Sequence, residues 1–259
     1  MEVTGLLDVF PLWVVLFLTI VLGLASVEVG HRVGGYRRRY SRQEKESLVG
    51  GVEAATLGLL AFMLAFTFGL AGARFEDRRQ ILLAEANAIG TTYLRAAMLP
   101  EPMRTQERDL LREYVDVRLE AVQPGKLTQA IAKSEELQNR LWEVAVAAAE
   151  KDRTPITALY VQSLNEVIDL HAKRLLAGVR SRVPAVIWIV LYLLVLIAML
   201  MMGYHSGLLN SRRSIAVVAL IVGFSSVLFL IADLDRPVQG TLQVSQQAMI
   251  DLRRSMTAP

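Results

Sequence analysis

The sequence predicts an all-α integral membrane protein: four transmembrane helices, with a helical-bundle domain inserted between transmembrane helices 2 and 3. The first observation is composition, since 53% of the 259 residues are hydrophobic and the mean hydropathy is +0.39. That is more apolar than an ordinary soluble domain. The second is that four long uncharged runs flank one polar stretch, residues 74–182, whose apolar residues recur at helical spacing.

Each of the four apolar runs is long enough, alone or with its flanks, to cross a bilayer, which takes about 20 helical residues. Backbone in lipid must satisfy its own hydrogen bonds, so runs this apolar are expected to be helices. The first run follows Glu2 and Asp8 rather than basic residues, which is not the pattern of a cleaved signal peptide. The transmembrane segments are therefore predicted at residues 11–30, 50–73, 183–205 and 214–233.

The polar stretch 74–182 reads as a bundle of four helices separated by three breaks. The breaks are "LPEPM" with Pro100 and Pro102, "QPGK" at 123–126 and "DRTP" at 152–155. We expect the first helix to continue transmembrane helix 2 without a break, and the last to run into transmembrane helix 3. Residues 234–259 are assigned to a C-terminal tail.

Catalytic patterns are not found in the sequence. There are no cysteines, which excludes disulfides and thiolate chemistry. The sequence holds no phosphate-binding glycine loop, and His31, His171 and His205 show no metal-ligand spacing. We therefore expect no enzyme activity, no cofactor and no metal. Basic residues cluster beside the apolar runs, which favours membrane lipid as a contact and argues against nucleic acid.

Glu53 stands one residue before the second apolar run and is a candidate intramembrane polar site. It either marks the membrane edge, or it faces a water-filled pathway or pairs with an arginine of a neighbouring helix. The glycines beside it, Gly50 and Gly51, would allow a close helix approach. Both interpretations remain open from the sequence.

The stretch "LAFMLAFTFGLAGARFEDRRQ", residues 59–79, resembles the second transmembrane helix of the bestrophin chloride channels. The shared positions alternate apolar and aromatic residues and end on an arginine followed by an aromatic: Leu59, Phe62, Leu64, Phe66, Leu70, Arg74 and Phe75. The sequence from Arg74 to Arg95, together with "DLDRPVQGTLQVS" after the last apolar run, is similar to the bacterial bestrophin-like domain family.

This resemblance implies a homopentamer in which five copies of transmembrane helix 2 surround a pore. Phe62 and Phe66 match the aromatic neck of that pore, whereas a third neck position falls on Gly58, so the constriction is shorter or moves to Leu59. The calcium-binding acidic segment of animal bestrophins has no counterpart in "DLDRPVQG". From the residues alone, Phe62 and Phe66 could instead pack against helices of their own subunit.

At the exit of helix 2 we expect a vestibule lined by Phe75 and by three cations, Arg74, Arg78 and Arg79. The cations favour small inorganic anions such as chloride, although Glu76 and Asp77 weaken that field. The expected function is an oligomeric anion channel of the bacterial inner membrane. The alternative is a non-conducting membrane scaffold or sensor that acts through its helical bundle.

Two conflicting observations leave open on which side of the membrane the 74–182 domain lies. The six Lys and Arg of loop 31–48 place that loop in the cytoplasm and the 74–182 domain outside. The bestrophin resemblance implies a cytoplasmic domain, and we favour it slightly because arginines flank the domain on its membrane side.

Overall fold

The computed structural model of the chain describes residues 10–40, 46–123, 125–180, 182–210, 215–236 and 240–257. These residues form helices and contain no strand, which confirms the all-α class. A short π-helical segment, Leu176–Arg180, follows the fifth helix. The eight α-helices are α1 Leu12–Tyr40, α2 Glu46–Ala96, α3 Met103–Glu120, α4 Leu127–Lys151, α5 Pro155–Leu175, α6 Ala185–Leu208, α7 Ile215–Asp235 and α8 Gln247–Ser255.

Four of these helices, α1, α2, α6 and α7, are long and apolar enough to span a membrane. Helix α1 reaches Tyr40 rather than residue 30, so residues 31–40 of the expected loop 31–48 are helical, while residues 41–45 lie outside the described part. Helix α2 is unbroken from Glu46 to Ala96, as expected for a run without proline. Its glycines lower helix propensity by about 1 kcal/mol each, without interrupting it.

The first of two compact units comprises Met1–Arg74 and Arg182–Leu242. Within it, α1 and α6 pack backbone to backbone through two glycines on each helix. A Cβ atom on Gly30 or Gly34 would collide with the backbone of α6, and one on Gly203 or Gly207 would collide with the backbone of α1. Small residues spaced four apart are a common way for membrane helices to approach closely.

The second unit comprises Phe75–Ser181 and Gln243–Pro259 and has its own hydrophobic core. Its largest fully buried side chains include Tyr114 of α3, Leu141 of α4 and Tyr160 of α5. Residues 234–259 are more than a tail, because Met249 and Met256 of the α8 region are buried in this core. Sequence reasoning missed this contribution because α8 is only nine residues long, too short for its apolar spacing to show which residues enter a core.

The expected continuity between the bundle and α6 is wrong. The chain is not helical from Arg182 to Pro184, and α6 begins at Ala185. Pro184 disfavours helical backbone at the residue before it. The backbone N–H of Val183 instead donates to Asp235 Oδ1, at 2.8 Å.

Candidate pore helix and its polar contacts

One face of α2 in the first unit carries exposed aromatic side chains. Phe62 is 66% exposed and Phe66 is 60% exposed, and Leu59 beside them is half exposed. A Cβ atom on Gly58 would meet no atom within 4 Å in the described part of the chain. The opposite face of α2 is buried and consists of Leu60, Leu64, Thr67 and Ala71.

The described helices of the subunit therefore leave most of the surface of Phe62 and Phe66 uncovered. Their spacing of four places them on one face of the helix. On Gly69, about one turn further along the helix, a Cβ atom would also meet no described atom within 4 Å. This face is available to lipid or to a second copy of the chain.

At the end of its membrane segment, α2 carries Arg74 near a carboxylate. Its Nη1 atom lies 4.0 Å from Asp235 Oδ1, and Arg182 Nη1 lies 4.0 Å from Asp235 Oδ2. Arg182 also donates to the Asp235 backbone carbonyl, at 2.5 Å. Arg74 is thus directed at a carboxylate of its own unit, with a fifth of its side chain exposed.

The other residues expected at the helix exit lie in the second unit and differ in exposure. Arg78 is buried, with its guanidinium carbon 5.8 Å from the centre of the Phe75 ring. Arg79 is exposed and lies 3.4 Å from Glu76. Glu76 also accepts a hydrogen bond from Gln80, at 2.7 Å. Of the three arginines expected to form a vestibule, Arg79 is therefore the exposed one, and an acidic side chain neighbours it.

Glu53 has a partner on another helix. Its Oε2 atom lies 2.5 Å from Nδ1 of His205, in the last turn of α6, and both side chains are largely buried. Gly50 makes room for the ring, because a Cβ atom there would lie 3.2 Å from His205 Cε1. Glu53 therefore contacts a neighbouring helix, and its partner there is a histidine and not the expected arginine. Nothing in the sequence linked these residues, which are 152 positions apart.

Residues 240–242, which follow α7 in the chain, contact the buried carboxylate of Asp233. Thr241 donates to it through its backbone N–H, at 2.6 Å, and through its hydroxyl. Gly240 allows this turn, since a Cβ atom there would lie 2.7 Å from Asp233 Oδ1. Arg236 donates to the backbone carbonyl of Phe10, at 2.6 Å. In the sequence Asp233, Arg236 and Gly240 belong to the "DLDRPVQG" motif. Residues 237–239 of that motif lie outside the described part of the chain.

The remaining histidines have structural partners. His31 lies 3.1 Å from the Ser206 hydroxyl, and His171 is buried beside Tyr114 at 3.3 Å. Among the described residues, no group of three or more histidine or acidic side chains could hold a metal ion.

The Bestrophin-like domain model matches residues 17–249 of this sequence. The chain belongs to the bestrophin-like family. A point mutant of a bacterial bestrophin homologue from Klebsiella pneumoniae matches with a TM-score of 0.68 and 13% identity, over 93% of this chain and 97% of that one. A second mutant of that homologue matches with a TM-score of 0.66 and 14% identity, over 96% of this chain and 99% of that one.

A further solved structure, described as a membrane protein, matches with a TM-score of 0.65 and 11% identity, over 93% of this chain and 97% of that one. At these identities the likeness shows the fold alone. This bestrophin-like protein therefore shares the fold of the bacterial bestrophin homologues and is a membrane protein. No curated protein matches its sequence significantly.

Proposed function

We propose that this protein is a homopentameric channel of the bacterial inner membrane that passes small anions such as chloride. Helix α2 of each subunit lines the pore, with Phe62 and Phe66 as its neck and Leu59 and Gly58 at the neck's edge. The observation that carries this proposal is the exposure of the aromatic pair, most of whose surface the described part of the chain leaves uncovered. Membership of the bestrophin-like family supports it.

The chemistry of this face suits a hydrophobic neck. A ring of aromatic side chains around an axis disfavours a hydrated ion and can gate a pore by dewetting. The glycines on the same side, Gly58 and Gly69, leave space for a neighbouring helix. Lipid would not require aromatic and small residues to alternate in this way, so this arrangement favours an axis shared between subunits.

The test is the double variant Phe62→Ala/Phe66→Ala, reconstituted in liposomes. We expect the neck to widen and become wet, so that ion flux rises while the oligomer persists. Flux and thermal stability are measured together, beside the mass of the native oligomer in detergent. The matched control is Phe17→Ala on α1, whose side chain is similarly exposed and is expected to leave flux unchanged.

Three outcomes contradict the proposal in different ways. A monomer under all detergent conditions removes the shared axis. A stable oligomer without flux in either form favours the scaffold alternative. A loss of about 3–5 kcal/mol per residue without added flux, the range for core phenylalanines, shows that the pair packs at an interface rather than lining a path.

Anion selectivity is a separate part of the proposal. Arg79 contributes an exposed positive charge at the exit of α2, but Glu76 lies 3.4 Å from it. We therefore expect only a modest preference for chloride over potassium. The reversal potential in a potassium chloride gradient measures this preference. A value that follows potassium rejects the anion assignment and leaves the pore proposal intact.

We propose a cytoplasmic location for the second unit. Gln123 is exposed at the turn between α3 and α4, and the native chain has no cysteine. A single Gln123→Cys variant should react with an impermeant thiol reagent in inside-out vesicles and stay protected in intact cells whose outer membrane has been permeabilised. The reverse pattern places the unit outside.

A further inference from the structure

In the first unit, Glu53 of α2 and His205 of α6 form a directional contact between two membrane helices. The two side-chain atoms are 2.5 Å apart, and Gly50 leaves the space that the imidazole ring occupies. The hydroxyls of Thr56 and Thr67 on α2 instead bond to carbonyls of α2 itself, at 2.7 Å and 2.8 Å. Those two hydroxyls do not link α2 to another helix.

Apolar contacts alone select the rotation of a membrane helix only weakly. Burial is non-directional, and lipid tails are as apolar as a leucine side chain. The buried stripe of α2, which includes Leu60 and Leu64, could therefore be exchanged for another apolar face at small cost. A largely buried polar pair is different, because leaving either group without its partner is costly.

The position of Glu53 relative to the aromatic pair follows from helix geometry. Phe62 is nine residues further along, which is about 180° around a helix of 3.6 residues per turn. Phe66 is thirteen residues along and lies about 140° away. Holding Glu53 against α6 therefore directs both rings away from α6.

We propose that Glu53 and His205 are positioning residues whose contact fixes the rotation of α2 about its axis. Their consequence for conduction rests on the proposed pore, whereas their effect on rotation does not. When the contact is lost, α2 can rotate about its axis, and the face that carries Phe62 and Phe66 then points in a different direction.

The experiment measures rotation directly by the distance between two spin labels. One label is attached at Gly69→Cys, on the aromatic side of α2, and the other at Ile189→Cys, which is exposed on α6. Labelled chains are diluted with unlabelled chains, so that the distance is measured within one subunit. A label carried about 6 Å from the helix axis moves by about 4 Å when the helix turns by about 40°.

We expect Glu53→Ala to shift or broaden the distance distribution by about that amount, and His205→Ala to do the same from the α6 side. The exchanged pair Glu53→His/His205→Glu should restore the original distribution. The matched control is Thr56→Val, one turn away on α2, which removes a hydrogen bond within the helix and should leave the distance unchanged.

An unchanged distance in folded Glu53→Ala or His205→Ala oligomers overturns the positioning role. If one of these variants does not fold, the other reports the same contact. A shift without rescue by the exchanged pair also overturns it, because the effect then comes from general loosening. A rescued shift supports it, and flux measured on the same samples then separates the two proposals: a shift without altered flux keeps the positioning role and contradicts the neck.

Discussion

Glu107 of α3 is a carboxyl group whose protonation should control the stability of the second unit. It is fully buried, and the hydroxyl of Tyr160 on α5 is a polar neighbour of its carboxyl group. Burial raises the pKa of Glu107 from its ordinary 4.5 to about 7, and the neighbouring Tyr160 hydroxyl offsets this only in part. The folded protein therefore retains a proton that the unfolded chain releases between pH 4.5 and 7.

The direction of the pH effect follows from that difference. The stability contributed by protonated Glu107 is fully present below pH 4.5 and is lost as the pH rises through 7. Holding a carboxyl at a pKa near 7 rather than 4.5 corresponds to about 3 kcal/mol. The variant Glu107→Gln keeps the shape of the protonated side chain and cannot ionise, so it should avoid this loss.

The assay is unfolding of the detergent-solubilised protein, followed by helical circular dichroism at several values between pH 4.5 and 8. We expect Glu107→Gln to match the native protein near pH 4.5 and to exceed it by about 3 kcal/mol near pH 8. Comparing the two proteins at each pH cancels the contributions of all other groups. The control Glu135→Gln makes the same chemical change at an exposed position on α4 and should follow the native pH dependence.

A Glu107→Gln protein with the same pH dependence as the native one would refute the reasoning. It would mean that the carboxyl is solvated, or that it gains a partner on ionisation.

Other predictions concern the second unit and the α1–α6 contact. Burial, together with Arg118, lowers the pKa of His171 to about 4. Stability from this group should therefore rise as the pH increases from 4 to 6.5, and His171→Gln should remove that rise in the same unfolding assay. Gly203→Ala would place a methyl group against the Val27 backbone, so we expect a loss of about 1–3 kcal/mol. Gly223→Ala on α7, where a Cβ atom meets no described atom within 4 Å, is the control; equal stability of the two alanine variants would contradict the close packing.

The sequence alone predicted the helical class and most breaks between helices, because these depend on local properties. Runs of uncharged apolar residues predicted four spanning helices, and α1, α2, α6 and α7 meet that description. A proline disrupts the interior of a helix through its own geometry, whatever the tertiary contacts. The turns before α3 and α5 could therefore be predicted from "LPEPM" and "DRTP". The spacing of Phe62 and Phe66 likewise placed them on one face of a helix.

Only the tertiary structure decided which charged and polar groups meet. The contact between Glu53 and His205 joins residues 152 positions apart, and no local pattern encodes such a distance. Only the structure shows, likewise, that Arg78 is buried and does not lie on the surface that its sequence position suggested. Sequence periodicity gives the direction of a side chain around its own helix, but its partner depends on how helices pack, which is set by contacts distant along the chain.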